Sequence, residues 1–253
     1  MRRYLFNYQT KVWFDKPIQD HAVLLRCLPA HCLYQTVREE HMLAADNFQL
    51  QEGKDGFGNR ILTGFYQDPH KTWIYQSCGI VEQTAYKVEP DDMPAEVYLA
   101  PSRMTTLKED LRTDLVGYTE DKAMELCGLA NRMLTYTPDS TTVETDVSEV
   151  LKLKKGVCQD YAHLMIALCR QAGIAARYAC GFVEGTGLTH AWVEVFNGTY
   201  WTGFDPTCGK LIAYGYVKLA HGRDASDCPV NRGCYKSMAN EENEINVSLE
   251  ELT

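Results

Sequence analysis

Two strand-like runs joined by the dipeptide Asn197-Gly198 constrain the fold of this chain more than any other feature. Residues 191–196 and 199–204 are rich in β-branched, aromatic and aliphatic side chains. Asn-Gly between two such runs is typical of a two-residue type I′ turn, which closes an antiparallel hairpin. The sequence therefore predicts that these two runs are paired, neighbouring strands of a sheet.

The register of this hairpin brings two polar residues together. With a two-residue turn, Phe196 faces Thr199, and counting outward places His190 directly opposite Asp205. Residues paired in this way share one face of the sheet, with Cβ atoms ~5 Å apart. At that separation a carboxylate can orient an imidazole while the other ring nitrogen serves as a base. A one-residue bulge would instead send Asp205 to the opposite face.

Cys158 is the cysteine whose position best suits a nucleophile. It follows Gly156 closely and begins a segment with helical spacing of apolar residues, which Gly173 ends. At the start of a helix, unpaired amides and the helix dipole stabilise a thiolate, and the local backbone N–H groups can bind an oxyanion. The sequence therefore predicts a catalytic triad in which Cys158 is the nucleophile, His190 the base and Asp205 the residue that orients it.

The segment between the cysteine and the histidine contains a strand and a short loop. Residues 174–183 have strand character, and residues 184–189 contain Gly185 and Gly187. These glycines are compatible with a mobile lid beside the site and equally with a plain flexible connection.

Residues 1–100 are predicted to form a β-rich N-terminal domain. Several short strands separated by turn residues favour a small antiparallel sandwich or half-barrel. The predicted strands are Tyr4–Phe14, Ala22–Cys27, Leu33–Glu39, Asn47–Gln51, Arg60–Tyr66 and Thr72–Glu89. Three prolines at positions 90, 94 and 101 then indicate a linker.

Residues 101–240 are predicted to form the catalytic core, in which helices precede strands. Thr119 is placed to cap a first helix, and Asp146 and Glu149 have the spacing of a capping box for a second, shorter one. Residues 241–253 are acidic, and we expect this C-terminal tail to be partly disordered.

The overall composition argues against several classes of protein. The net charge is −9 and no Lys/Arg cluster offers a footprint for phosphates, so neither nucleic acid nor an anionic membrane is an expected partner. No stretch approaches the ~20 apolar residues of a membrane span. The N-terminus lacks the apolar core of a signal peptide, so a cytoplasmic location is expected.

Ten scattered cysteines form no C-x-x-C pair, and most are expected to be reduced and buried. Two sets of residues could in principle hold zinc, although neither has familiar ligand spacing. These sets are His21, Cys27, His31 and Cys32, and Cys208, Cys228 and Cys234.

Four segments of the chain resemble, in the correct order, the motifs of the transglutaminase-like superfamily of papain-type thiol enzymes. The run from Gly156 to Leu164 resembles the nucleophile segment, and that from Gly173 to Tyr178 resembles the G-I-P-A-R-Y motif, with Ala175 in place of the usual proline. The remaining two segments, 190–195 and 201–207, resemble the histidine and aspartate strands.

The resemblance extends beyond these motifs and implies a fold. The front half is similar to the N-terminal region of bacterial members, including residues 55–59, and residues 222–227 resemble a segment near their C-terminus. The implied fold is α+β: a papain-like, transglutaminase-like core, with the nucleophile helix packed on an antiparallel sheet, preceded by the β-rich N-terminal domain. Bacterial members of this type are described as candidate cysteine proteases.

The resemblance also implies acyl transfer through a thioester on a peptide or protein carboxamide, with no metal or organic cofactor. Hydrolysis is the first expectation. Amine transfer that cross-links glutamine to lysine is the second, and a non-catalytic binding module is the rival from another class. The superfamily takes a side-chain oxyanion donor from upstream of the cysteine, and the sequence does not decide between Asn131 and Tyr136. Asp160 is expected to cap the nucleophile helix, and His163 to point away from the thiol.

Overall fold

The computed structural model describes residues 1–45, 48–111 and 115–252, and within them β-strands predominate. The N-terminal strands are β1 (Arg2–Leu25), β2 (Gln35–Ala44), β3 (Leu50–Lys54), β4 (Arg60–Tyr66) and β5 (His70–Gln83). After a 3₁₀ turn, Ala95–Tyr98, come α1 (Glu120–Met133), β6 (Thr135–Tyr136), α2 (Val147–Leu153), β7 (Lys155–Gly156) and α3 (Cys158–Gln171). The remaining strands are β8 (Ala176–Val183), β9 (Gly185–Gly187), β10 (His190–Phe196), β11 (Trp201–Asp205), β12 (Lys210–Leu211), β13 (Tyr216–Gly222), β14 (Asn231–Lys236) and β15 (Glu241–Leu252).

The N-terminal sheet is organised around β1, a strand of 24 residues. Its first half pairs with β5 and β15, and its second half pairs with β4 and β14. The two strands predicted at 4–14 and 22–27 are therefore one bent strand. Pro17 lies where the pairing with β5 is interrupted, between Trp13 and Ile18, and a residue without an N–H is tolerated there. The predicted strand at 47–51 begins at Leu50, and Asn47 lies outside the described residues.

The acidic C-terminal segment is not disordered, and that expectation was wrong. It forms β15, which pairs with β1 from Phe14↔Glu241 to Arg3↔Leu252. Val247 and Leu249 point into the core of the N-terminal sheet, while the acidic residues are mostly exposed. Apolar and polar residues do alternate in this segment, as in a strand, but its many acidic residues suggested disorder.

The core sheet is antiparallel, with strand order β12-β11-β10-β8-β13. Alternate residues of β10 face α3, namely Ala191, Val193 and Val195. The other face of the sheet carries Trp192 and packs against aromatic residues of the N-terminal half. The helix α3 on one face and the β-rich region against the other make this an α+β arrangement.

The helix boundaries follow the signals in the sequence. Thr119 caps α1 by accepting a hydrogen bond from the backbone N–H of Lys122 at 3.2 Å. Asp146 and Glu149 form the predicted capping box of α2. Gly173, with φ of 70°, follows the end of α3 in the left-handed region where glycine is favoured. No helix in the described ranges is both long enough and apolar enough to cross a membrane.

Candidate active site

Cys158 is the first residue of α3, and the structure around it is held by a buried carboxylate. Asp160 Oδ2 accepts hydrogen bonds from the backbone N–H of Val157 at 2.7 Å and from Thr141 Oγ1 at 2.6 Å. A Cβ on Gly156 would lie 2.6 Å from the Asp160 Cβ, so only glycine fits before the nucleophile. The thiol itself is only partly buried. Asp160 therefore caps the helix as expected and leaves Cys158 accessible.

The hairpin that carries the other two residues has a different register from the predicted one. Phe196 pairs with Trp201, and Val193 pairs with Phe204, so the loop contains four residues rather than two. Asn197 Oδ1 accepts the backbone N–H groups of both Thr199 and Tyr200 at 2.9 Å, which closes a wider turn. His190 and Asp205 are consequently not direct cross-strand partners. Because the shift is two residues, both side chains stay on the predicted face.

His190 and Asp205 are joined by a hydrogen bond. The His190 Nε2 donates to Asp205 Oδ2 at 3.0 Å, with the aspartate fully buried and the imidazole 16% exposed. Asp205 accepts three further hydrogen bonds, from the backbone N–H groups of Thr207 (2.9 Å) and Cys208 (3.2 Å) and from Tyr216 Oη (2.6 Å). The carboxylate is thus fixed by four donors. Sequence reasoning missed Tyr216, which comes from the opposite edge strand, β13.

The environment shifts the pKa values of both residues in opposite directions. Burial is the largest influence on His190 and lowers its pKa, but hydrogen bonding to Asp205 and the interaction with the Cys158 thiol outweigh it and raise the pKa to about 9. Burial raises the pKa of Asp205, but His190 and Tyr216 outweigh it and lower the pKa to about 2. At neutral pH the pair is an imidazolium and a carboxylate. All three predicted residues therefore meet in one cluster.

Two sequence-family descriptions match this chain, one for each half. Residues 105–206 match the transglutaminase-like superfamily, and residues 4–82 match the bacterial transglutaminase-like N-terminal region. An uncharacterized protein of Mycobacterium tuberculosis is 33% identical, over 76% of this chain and 73% of the relative. The chain belongs to the transglutaminase-like superfamily.

Two further proteins are similar to this chain. The uncharacterized protein YebA of Bacillus subtilis is 29% identical over 49% of this chain and 19% of its own length. Among solved structures, a candidate cysteine protease from Cytophaga hutchinsonii superposes with a TM-score of 0.83 at 21% identity, covering 100% of this chain and 91% of that one. The α+β fold predicted for a transglutaminase-like protein is thereby confirmed.

The two residues considered as oxyanion donors differ in their surroundings. Asn131 Nδ2 already donates to the backbone carbonyls of Pro206 and Thr207, at 3.0 and 2.9 Å. Asn131 thus holds the residues that follow Asp205, and its amide N–H groups are already used. Tyr136 is 52% exposed and lies on β6, paired in parallel with Gly156. Burial, and then the nearby Cys158, raise the pKa of its phenol.

His163 has a structural position in the superfamily core. It is fully buried, and its Nε2 accepts the backbone N–H of Ala225 at 3.1 Å. Burial lowers its pKa to about 4, so the imidazole is neutral. This contact joins α3 to the segment 222–227.

The two possible zinc sets do not converge. Across residues 1–45, 48–111 and 115–252, no three histidine, cysteine or acidic side chains are grouped closely enough to hold a metal ion.

A second charged cluster, centred on Glu194, was not predicted from the sequence. Glu194 is fully buried and accepts hydrogen bonds from Arg177 Nε (2.6 Å), Lys218 Nζ (2.8 Å) and Tyr86 Oη (2.6 Å). Burial raises the pKa of Glu194, but the two cations outweigh it and lower the pKa to about 2. Arg177 also contacts Asp91 at 2.5 Å. The Glu194 cluster thus ties the core sheet to the linker.

The segment 55–59 joins the two halves of the molecule. Asn59 accepts the backbone N–H of His221 at 2.9 Å and donates to its carbonyl at 2.7 Å, as a neighbouring strand would. Asp55 holds this loop through the backbone N–H groups of Phe57 and Asn59. A cavity of about 570 Å³ lies at this junction and is lined by Arg177 and Lys218, among others, but not by Cys158. This cavity is therefore separate from the cluster of Cys158, His190 and Asp205.

Proposed function

We propose that this chain is a cysteine-dependent hydrolase of amide or peptide bonds that works through a thioester acyl-enzyme. One observation carries the proposal: the His190 imidazole, hydrogen-bonded to the buried Asp205 carboxylate, interacts with the Cys158 thiol at the start of α3. A charged imidazole beside a cysteine generally stabilises a thiolate, which is the reactive nucleophile. The superfamily assignment supports the same chemistry.

Acylation begins when Cys158 Sγ attacks the carbonyl carbon of the substrate amide. The developing oxyanion is stabilised by backbone N–H groups at the start of α3, which have no acceptor within the helix. Tyr136 Oη is the side-chain candidate for a second donor, because Asn131 is already engaged. The C–N bond then breaks as His190 gives its proton to the leaving amine.

Deacylation uses the same groups in reverse. His190, now neutral, takes a proton from water while the water oxygen attacks the thioester carbonyl. The C–S bond breaks, the carboxylic acid leaves, and the thiolate–imidazolium pair is restored. Asp205 keeps the imidazole oriented throughout and stabilises its positive charge.

We place hydrolysis before amine transfer because the Cys158 thiol is only partly buried. Transfer to an amine requires that water be kept from the acyl-enzyme, so a thiol that solvent reaches suits hydrolysis.

The first test is the pH dependence of iodoacetamide labelling, with all ten cysteines mapped, in the wild type and in His190→Ala. We expect Cys158 to react rapidly well below the ordinary thiol pKa of about 8.5, and to lose this reactivity in the variant. If Cys158 labels no faster than the exposed Cys208 and Cys234, the hydrolase is excluded and a binding module is favoured. Product analysis of a glutamine peptide, with and without a primary amine, then separates hydrolysis from transfer.

A further inference from the structure

Three lysines lie directly before the nucleophile. Lys152, Lys154 and Lys155 are all exposed, although the chain as a whole carries a net charge of −9. Among the described residues, none of the three has a carboxylate within ion-pairing distance. We call them the lysine group. It is too small for a nucleic-acid footprint, but it places positive charge in the segment that leads to Cys158.

The acidic residues closest in sequence to the lysine group are engaged elsewhere. Glu149 caps the start of α2, where its carboxylate accepts the backbone N–H of Asp146 at 3.4 Å. Glu144 pairs with Arg103. Asp160 is buried beneath the nucleophile and bonded to Val157 and Thr141. The positive charge of the lysine group is therefore left available to a ligand.

The backbone fixes the lysine group relative to the thiol. Thr135 donates its N–H to the carbonyl of Lys154, and Thr137 donates to that of Gly156, both at 3.0 Å. Lys154 has φ of 53°, the left-handed position at which a helix end favours glycine. From Lys155 the chain is extended to Cys158, so the two Cα atoms are ~10 Å apart or less. A lysine side chain here can reach the residues that flank a scissile amide.

We propose that the lysine group binds a carboxylate of the substrate, so that this site prefers amides within acidic peptide segments or close to a free C-terminal carboxylate. This inference rests on the proposed function, because it concerns the substrate of the same site. Lysine supplies flexible point charges, whereas phosphate sites generally add arginine forks or backbone nests. The acidic surface elsewhere repels such peptides, so the lysine group is the place where they can approach.

The experiment compares two affinity labels that react with Cys158 without any turnover. They are iodoacetyl-Gly-Glu-Glu-amide and iodoacetyl-Gly-Gln-Gln-amide, and labelling rates at Cys158 are measured by peptide mapping. At low ionic strength we expect the Glu label to react roughly 3- to 10-fold faster, a typical effect of exposed charge pairs. In 1 M salt, where the screening length is about 3 Å, the ratio should approach one. Iodoacetyl-Gly-Gln-Gln with a free C-terminus shows whether a terminal carboxylate serves as well as an acidic side chain.

The decisive variant is Lys154→Asn/Lys155→Gln, in which asparagine keeps the left-handed position accessible. It should bring the Glu-to-Gln ratio close to one. The control, Lys16→Gln/Lys54→Gln, removes two exposed lysines from β1 and β3 and changes the net charge equally, and should leave the ratio unaltered. Charge reversal in Lys155→Glu changes the charge of the lysine group by the same two units and should likewise bring the ratio close to one.

Two outcomes overturn the inference: a wild-type ratio near one, or an equal fall of the ratio in both double variants. The ratio can be measured whatever the absolute rate. A slow Cys158 with a high ratio would therefore reject the hydrolase and keep the carboxylate site, and a fast Cys158 with a ratio of one would do the reverse.

Discussion

Asp205 and Glu194 are two buried carboxylates on one face of the same sheet, and they serve different purposes. Both are fully buried, and both have a pKa lowered to about 2. On β10, His190, Trp192 and Glu194 alternate along that face, so one strand serves both clusters. The Trp192 indole donates to Tyr86 at 2.7 Å, and Tyr86 donates to Glu194 at 2.6 Å.

The difference between the clusters lies in the partners of each carboxylate. Asp205 faces His190, a titratable group at the protein surface that interacts with a thiol. Glu194 faces Arg177 and Lys218, which are both buried and hydrogen-bonded to it. A carboxylate beside a histidine that interacts with a thiol can assist proton transfer, whereas one enclosed by two buried basic groups holds structure. Burial alone therefore does not mark a candidate catalytic carboxylate.

The largest expected effect is a loss of activity, and it concerns the cluster of Asp205 and His190. His190→Ala should lower kcat/KM for peptide hydrolysis by about 10⁴-fold or more, because base, acid and thiolate partner are lost together. The melting temperature should also fall at neutral pH, because the variant loses the pairing with Asp205, but the protein should stay folded at the assay temperature. The measurement pairs steady-state kinetics with thermal unfolding. Retained activity in this variant would reject the catalytic role of the Asp205 cluster.

The next effect is on stability and concerns the Glu194 cluster. Glu194→Gln leaves two buried cations without their carboxylate, and should lower the free energy of unfolding by about 3–5 kcal/mol. The folded fraction should keep most of its Cys158 labelling rate. The control is Asp20→Asn, which breaks the exposed pair with Lys236 and should cost less than about 1 kcal/mol. Asparagine also suits the φ of 50° at that position. Equal destabilisation in both variants would contradict the structural role of Glu194.

The sequence predicted the cluster of Cys158, His190 and Asp205, but it did not predict the cluster around Glu194. Cys158 has a local signal, a helix start after Gly156, and the meeting of His190 with Asp205 follows from one hairpin. The predicted register was wrong by two residues because the Asn197 side chain closes a wider turn. Successive side chains alternate between the two faces of a strand, so a register shift of two residues leaves Asp205 on the predicted face. His190 and Asp205 therefore still meet.

The Glu194 cluster had no comparable local signal. Arg177, Glu194 and Lys218 come from β8, β10 and β13, which become neighbours only once the core sheet forms, and Tyr86 and Asp91 join them from outside that sheet. The same limit applies to β15, whose partner β1 begins the chain, and to Tyr216, which is only 11 residues from Asp205 but lies three strands away in the sheet. Local patterns therefore identified groups that lie on one hairpin or one helix start, and tertiary packing determined the rest.

The pH dependence of the free energy of unfolding should reveal the titration of the His190–Asp205 pair. The pKa of His190 is raised to about 9, so the stability from its pairing is complete below about 6.5, its unfolded value, and is lost as the pH rises through 9. The pKa of Asp205 is lowered to about 2, so its contribution is complete above about 3.9 and is lost as the pH falls through 2.

Between about pH 4 and 6.5 both contributions are complete. Denaturant unfolding of wild type and His190→Ala from pH 6 to 10 provides the measurement. We expect the stability difference between the two proteins to shrink only on the alkaline side. A constant difference across this range would mean that His190 is neutral in the folded protein.

The smallest expected effect concerns Tyr216, which connects the catalytic carboxylate to the face shared with Glu194. Tyr216→Phe removes one of the four hydrogen bonds to Asp205 and leaves the ring packed at 5.4 Å from Trp192. A hydrogen bond to a charged group contributes about 1.5–3 kcal/mol, and three donors remain, so we expect a fall in kcat of roughly 10-fold with KM unchanged. Because the lost bond stabilised the aspartate charge, the acid limb of the pH–rate profile should move to higher pH. A merely structural tyrosine would lower the melting temperature and leave that limb in place. The shift of the acid limb therefore tests whether a residue on β13 tunes the triad from across the sheet.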